Sequence, residues 1–354
     1  MRIAPSVRNL ETVSLPNHEP AGGDTTMRIL ALRPVLYILI VLCGIIGPFA
    51  FKLRTNGIFA CPADGYAGKH YLAYCHVKGY GDYDHSAFWF GLEPDIERYA
   101  TEAEVLFLGS SRMQFAFSSQ ATDEWFSSPP VRYYLLGFSS TENITFTAPL
   151  LAKLRPRAKV FIINIDRFFE DEESDVGKAI LRESDVLARS KEKRFWQVLH
   201  EPACTTLPML CGNSVSFFRT RETGAWQLKG FRLWEGAKAV ADAPPSDTDR
   251  WTHYAALGEQ FISQLPINRH CVLLTIAPNN ATKKAEAAAI ASALNLDLLV
   301  PPLKGLQTFD GSHLDRPSAE RWSQAFLEMA EPRIRECLGE TGASSRPMDE
   351  LSHS

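Results

Sequence analysis

A strand buried on both faces of a sheet reads as an unbroken apolar run, not as an alternating one. This chain carries five largely apolar runs after residue 104, the first of them unbroken, and they constrain its fold more than any other feature. They lie at 105–108 (VLFL, ended by Gly109), 131–136 (ended by Gly137), 160–165 (VFIINI), 271–277 (CVLLTIA, stopped by Pro278) and 296–300 (LDLLV, stopped by Pro301 and Pro302). Helix-like stretches separate them. One passes through Leu150, Leu151 and Leu154, and an Ala-rich one covers 282–294. A last helix, opened by Pro317, sets Trp322, Ala325, Phe326 and Met329 at helical spacing. Strands alternating with helices predict an α/β fold with a central parallel sheet and helices on both faces. Residues 167–250 break the rhythm: they open with an acidic run at 170–173, continue through a charged helical segment at 178–199, and show no strand series. They read as a cap inserted over the sheet.

With 45% hydrophobic and 22% charged residues, a mainly disordered or fibrous chain is excluded. A net charge of -4 offers no basic face for nucleic acid. Near the N-terminus, residues 35–51 (VLYILIVLCGIIGPFAF) contain no charge and are bracketed by Arg33 and Lys52. That is the low end of a bilayer span. The leading expectation is a retained membrane anchor; a cleaved signal peptide or a core helix are the alternatives. Against cleavage, Pro48 and Ala50 make a poor small-x-small site. The expected organisation is an extension at 1–34, a transmembrane anchor at 35–51, a juxtamembrane collar at 52–100, an α/β domain at 101–340 with the cap at 167–250, and a tail at 341–354.

Local Lys and Arg residues do not decide the orientation, since Arg28 and Arg33 face Lys52, Arg54 and Lys69 across the run. Met27 followed by those arginines and the run looks like a signal-anchor start, so an exported C-terminal domain is expected. Cys61 with Cys75 and Cys204 with Cys211 are candidate local disulfides, whereas Cys271, at the start of an apolar run, reads as a buried free thiol. His70, His76 and His85 fit no ligand pattern and no cysteine pair has zinc spacing, so neither a metal nor a cofactor is expected.

Ligands of open parallel sheets bind beyond the carboxyl ends of the strands. The first run delivers Gly109-Ser110-Ser111-Arg112 there, the second Gly137 and then Ser139 to Asn143, and the third Asn164 and Asp166. Asp310-Gly311-Ser312-His313 precedes the last helix. Each cluster alone has a plain reading as a turn, a helix cap or a strand end. Together they place a serine, a histidine and a carboxylate at one rim. A serine hydroxyl becomes a nucleophile when a neighbouring base removes its proton, and a carboxylate orients that base. Arg112 and Arg167 stand near the same rim and read as solvated arginines.

In order, VLFLGSSRM, LLGFSSTEN, IINID and DGSHL resemble the four sequence blocks of the SGNH/GDSL hydrolase superfamily, over roughly 101–336. The resemblance implies a three-layer α/β/α sandwich of flavodoxin-like type. It implies Ser111 as nucleophile, His313 and Asp310 as its catalytic partners, and an oxyanion hole from Ser111, Gly137 and Asn164. Gly-Ser-Ser stands where the family has Gly-Asp-Ser, and the third block lacks its glycine, so Asp166 is a rival to Asn164. The first block is similar to membrane-anchored bacterial members that handle acyl groups on envelope polysaccharide. The implied activity is a serine esterase or O-acyltransferase acting on small, acetyl-type esters of carbohydrate, in the cytoplasmic membrane with the domain outside. Its partners would be the lipid bilayer, an acylated carbohydrate and envelope polysaccharide machinery. A non-catalytic scaffold or glycan-binding subunit of the same fold is the alternative.

Overall fold

The computed structural model describes residues 34–44, 47–48, 51–52, 57–66, 69–139, 142–230, 238–244 and 250–339. The chain divides into two units, 1–52 and 53–354. In the first, residues 34–44 (α1), 47–48 and 51–52 are helical, and the side chains from Val35 to Leu42 are exposed. No described helix is long and apolar enough to cross a membrane. Residues 45–46 and 49–50 of the expected anchor, the extension before residue 34 and the tail lie outside the described residues.

The second unit opens with β1 (His70–Cys75), β2 (Gly81–Asp82), α2 (Asp84–Phe90) and α3 (Ile96–Glu102). The α/β series follows: β3 (Val105–Ser110), α4 (Ser111–Phe117), α5 (Gln120–Ser127), β4 (Tyr133–Phe138), α6 (Ile144–Leu154) and β5 (Val160–Asn164). Next come α7 (Asp175–Arg182), α8 (Val186–Thr206), β6 (Ser216–Thr220), β7 (Trp226–Lys229) and β8 (Lys238–Ala239). The series then resumes with α9 (Arg250–Ser263), β9 (Val272–Thr275), α10 (Lys284–Ala293), β10 (Gln307–Thr308) and α11 (Arg316–Leu338).

Four apolar runs form one parallel sheet in the order β4-β3-β5-β9. Each strand is buried on both faces, and the period of two divides its side chains between two cores. Val105, Phe107, Leu135, Ile162 and Leu273 pack with Met113 and Phe117 of α4 and Trp322 and Phe326 of α11. Leu106, Leu108, Leu136, Phe161 and Leu274 pack on the opposite side with Phe88, Phe146, Phe261 and Ile290. Helices therefore flank both faces. Burying each such side chain stabilises the fold by about 1.5–3 kcal/mol before entropy is counted.

The fifth run does not become a strand. Leu298 makes a single parallel bridge to Leu274, and Pro301 and Pro302, which have no N–H to donate, follow at once. On α11 the stripe is rotated from the expected one. Trp322, Phe326, Leu327, Ala330 and Ile334 are buried whereas Met329 is exposed, because 322, 326, 330 and 334 drift slowly round a 3.6-residue helix and keep one face.

The insertion does contain strands, and it does not fold apart from the collar. β6 and β7 join β1 and β2 in one antiparallel sheet, order β2-β1-β6-β7. The pattern hid them because Arg219, in the middle of β6, is wholly buried. Its guanidinium pairs with Asp84 at 2.7 Å and donates to the carbonyls of Leu135, at 2.9 Å, and Gly137. Gln114 Nε2 donates to the same two carbonyls, and Leu135 N donates to Thr223 O at 2.8 Å. The insertion thus caps β4, an edge strand that would otherwise present open backbone groups. Gly224 lets it come close: its φ is 71°, and a Cβ there would sit 2.4 Å from Leu135 O.

Cys61–Cys75 and Cys204–Cys211 are disulfides as expected. Cys271 is not a free thiol. It is bonded to Cys337, with a Cα separation of 5.8 Å, and ties the foot of β9 to the end of α11. Sequence spacing gave no hint of a pair 66 residues apart.

Candidate active site

Ser110 ends β3 and caps α4, its hydroxyl accepting from Arg112 N at 3.4 Å, so it serves the turn. Ser111 is then the first residue of α4, at the carboxyl edge of the sheet. Its hydroxyl lies 2.8 Å from His313 Nε2. His313 Nδ1 lies 2.7 Å from Asp310 Oδ2. A carboxylate only accepts, so Nδ1 carries the proton and Nε2 is left to accept from Ser111. Asp310 Oδ1 accepts from the backbone N–H groups of Ser312 and His313, both at 2.8 Å. Burial pushes the Asp310 carboxyl upward, but the His313 bond and charge and those two N–H groups outweigh it and hold it at about 2. The imidazole is walled by Phe115, 4.8 Å between centroids, and stacked on Phe309 at 5.6 Å. The three polar side chains stay partly open to solvent.

The sheet brings a third element to the same rim. In strand order the second, first, third and fourth strands of the parallel sheet lie side by side, so β3 and β5 flank the point where the winding reverses. Ligand crevices form there. Asn164 ends β5 and is fully buried. Its Oδ1 accepts from Ala277 N at 2.7 Å, and its Nδ2 has no hydrogen-bond partner among the described residues. Its side chain packs against Gly109, where a Cβ would come within 3.1 Å of Asn164 Cβ. Asp166 is otherwise engaged. It pairs with Arg112 Nη1, while Arg112 Nε donates to Ser312 Oγ at 3.0 Å. Arg112 is therefore not a solvated arginine; it laces the serine turn to the histidine loop. Arg167 pairs with Glu170 at 2.7 Å.

Gly137 lies inside β4, in register with Gly109. A Cβ there would meet Met113 Cε at 2.6 Å and Gly109 O at 2.9 Å, so what the packing requires of it is the absence of a side chain. The strand end belongs to Ser139, and Ser140 and Thr141 lie outside the described residues.

A second Asp-x-x-His stands behind that strand end. Buried His85 meets Asp82 Oδ1 through Nδ1 and Glu142 Oε2 through Nε2, both at 2.9 Å. Ser139 donates to Asp82 Oδ2 at 2.6 Å and Ser174 to Glu142 Oε2 at 2.5 Å. Burial lowers the His85 pKa, but Asp82 and Glu142 overcome it and raise it to about 10. Asp82-Tyr83-Asp84-His85 has the spacing of Asp310–His313, a signal present in the sequence and overlooked there. His85 is clamped between two acids, which occupy both of its ring nitrogens. His200, Cys204 and Cys211 also cluster. The cysteines are disulfide-bonded, and His200 is engaged by Tyr66 Oη at 3.1 Å and Cys61 O at 3.2 Å. Burial holds its pKa down near 4.

No protein-family model, no curated protein and no solved structure matches the chain.

Proposed function

We propose that the chain is a membrane-anchored serine esterase or O-acyltransferase of SGNH type. It acts on small acyl, acetyl-type, esters of carbohydrate through an acyl-Ser111 intermediate. One observation carries this reading: the continuous hydrogen-bond chain from Ser111 through His313 to Asp310 at the carboxyl rim of a parallel sheet. The strand order fits the flavodoxin-like sandwich of that superfamily. Residues 35–51 supply the anchor, and three disulfides among the described residues fit an oxidising compartment outside the cytoplasmic membrane.

In the first half-reaction Ser111 Oγ attacks the ester carbonyl as its proton passes to His313 Nε2. Collapse of the tetrahedral intermediate breaks the bond to the sugar oxygen, which leaves with that proton. In the second half-reaction His313 takes a proton from water or from an acceptor hydroxyl, whose oxygen attacks the acyl-Ser111 carbonyl; as that intermediate collapses His313 returns the proton to Ser111 Oγ, which leaves as the free hydroxyl. Asp310 stays ionised and holds the Nδ1–H tautomer throughout. The unpaired Asn164 amide and the N–H of Ser111 are the oxyanion donors in this reading, and Gly137 serves from inside β4 through the close packing its missing side chain allows. Water as acceptor gives a hydrolase; a sugar hydroxyl gives a transferase.

Labelling with a serine-directed fluorophosphonate tests the reading. The native chain should be labelled and Ser111→Ala should not. An unlabelled native chain that still binds glycan would instead make it a scaffold or glycan-binding subunit.

A further inference from the structure

Helix α8 is amphipathic in the reverse sense. Its buried stripe, Val186, Ser190, Gln197, His200 and Cys204, is largely polar and is buckled to the collar. There Gln197 Nε2 donates to Leu72 O at 3.0 Å, and His200 meets Tyr66 Oη. Between Glu192 and Glu201 the outward face is apolar: Phe195 is 57% and Val198 54% exposed, with Trp196 and Leu199 beside them. The turn that follows adds Leu207 and Met209, the latter 72% exposed. Charges ordinarily occupy the outward face of a surface helix, and a contiguous apolar face there marks a contact with something other than water.

Two further observations say what covers it. Lys191 lies one turn before Phe195 on the same exposed side, whereas Lys193 and Arg194 turn inward to Asp82 O and to Glu93. In addition, α8 rests on residues 57–60, which come a few residues after the uncharged 35–51 run. Trp196 and Lys193 line a cavity of about 370 Å³ with Gly57, Ile58, Phe59 and Tyr80. Lys52 and Gly57 are separated by so few residues that extended chain reaches less than about 20 Å. A bilayer holding the 35–51 run is therefore within reach of this face.

We propose that the outward face of α8, with Leu207 and Met209, is a membrane-contact surface lying in the lipid–water interface. Trp196 would sit at the headgroup boundary and Lys191 would meet an anionic headgroup. The inference rests on the anchor part of the proposed function and is independent of the esterase part.

The full chain reconstituted into phosphatidylethanolamine–phosphatidylglycerol vesicles with brominated acyl chains tests it. None of the seven tryptophans lies in the 35–51 run, so bromine quenching reports contact by the folded unit. The native chain should lose emission relative to unbrominated vesicles, and Trp196→Phe should remove most of that loss. Phe195→Glu with Leu199→Glu, both outward-facing, should also abolish the quenching while the chain still floats with the vesicles. Equal quenching in the native chain and Trp196→Phe overturns the proposal alone, whereas a chain that does not float overturns the anchor with it. Absent quenching, together with a detergent-solubilised dimer that the double substitution turns into monomer, would assign the face to a second copy.

Discussion

Ser111 and His313, 202 residues apart in the chain, meet at 2.8 Å across the carboxyl rim of the parallel sheet. β3 delivers the first and the loop before α11 delivers the second. Asp310, three residues before His313, completes the chain of hydrogen bonds.

If these side chains act as a unit, Ser111→Ala and His313→Ala should each lower kcat on a small acetyl ester by about 10⁵–10⁶-fold. Asp310→Ala should cost about 10⁴-fold. Ser110→Ala should keep most activity and lose about 1 kcal/mol of stability with its cap. Steady-state kinetics and denaturant titration read both, and an inactive Ser110→Ala beside an active Ser111→Ala would shift the nucleophile by one residue.

Asn164 and Asp166 can be told apart by their partners. Asn164→Asp keeps the acceptor that Ala277 N uses and removes the unpaired amide. It should lower kcat by about 10²–10³-fold with little change in KM. Asp166→Asn removes the partner of Arg112 and should appear mainly as lost stability. The opposite ranking in kcat would make Asp166 the residue that faces the reaction.

The His85 clamp makes a pH-dependent contribution to stability. Its folded pKa, raised to about 10, lies above the ordinary unfolded value near 6.5. The stabilisation is therefore complete below about pH 6.5 and is lost as pH climbs through about 10. Melting curves between these limits should show the native chain losing its advantage over His85→Gln steadily. A difference that does not change with pH would mean that the imidazole is not charged in the fold.

The Cys271–Cys337 bond closes the longest of the three disulfide loops, with a separation of 66 residues. Replacing both cysteines by serine should cost about 2–4 kcal/mol in denaturant unfolding. If non-reducing peptide mapping found Cys271 as a free thiol, the tie between β9 and α11 would be refuted directly.

Legibility followed the range of the interaction. The four strands of the parallel sheet were legible as apolar runs because double-sided burial acts on consecutive residues. Ser110 as a cap, Ser111 at the helix start, Asp310 beside His313 and the two short-loop disulfides were legible for the same reason: their partners are near in sequence. The tertiary structure alone decided what depends on distant segments coming together. It laid β6 and β7 against the collar, where a buried Arg219 needs Asp84 as its counter-charge. It joined Cys271 to Cys337 and turned Arg112 from solvent toward Asp166 and Ser312. It also denied the 296–300 run a strand. A sequence pattern records which side chains must leave water; the packed chain decides which of them then meet.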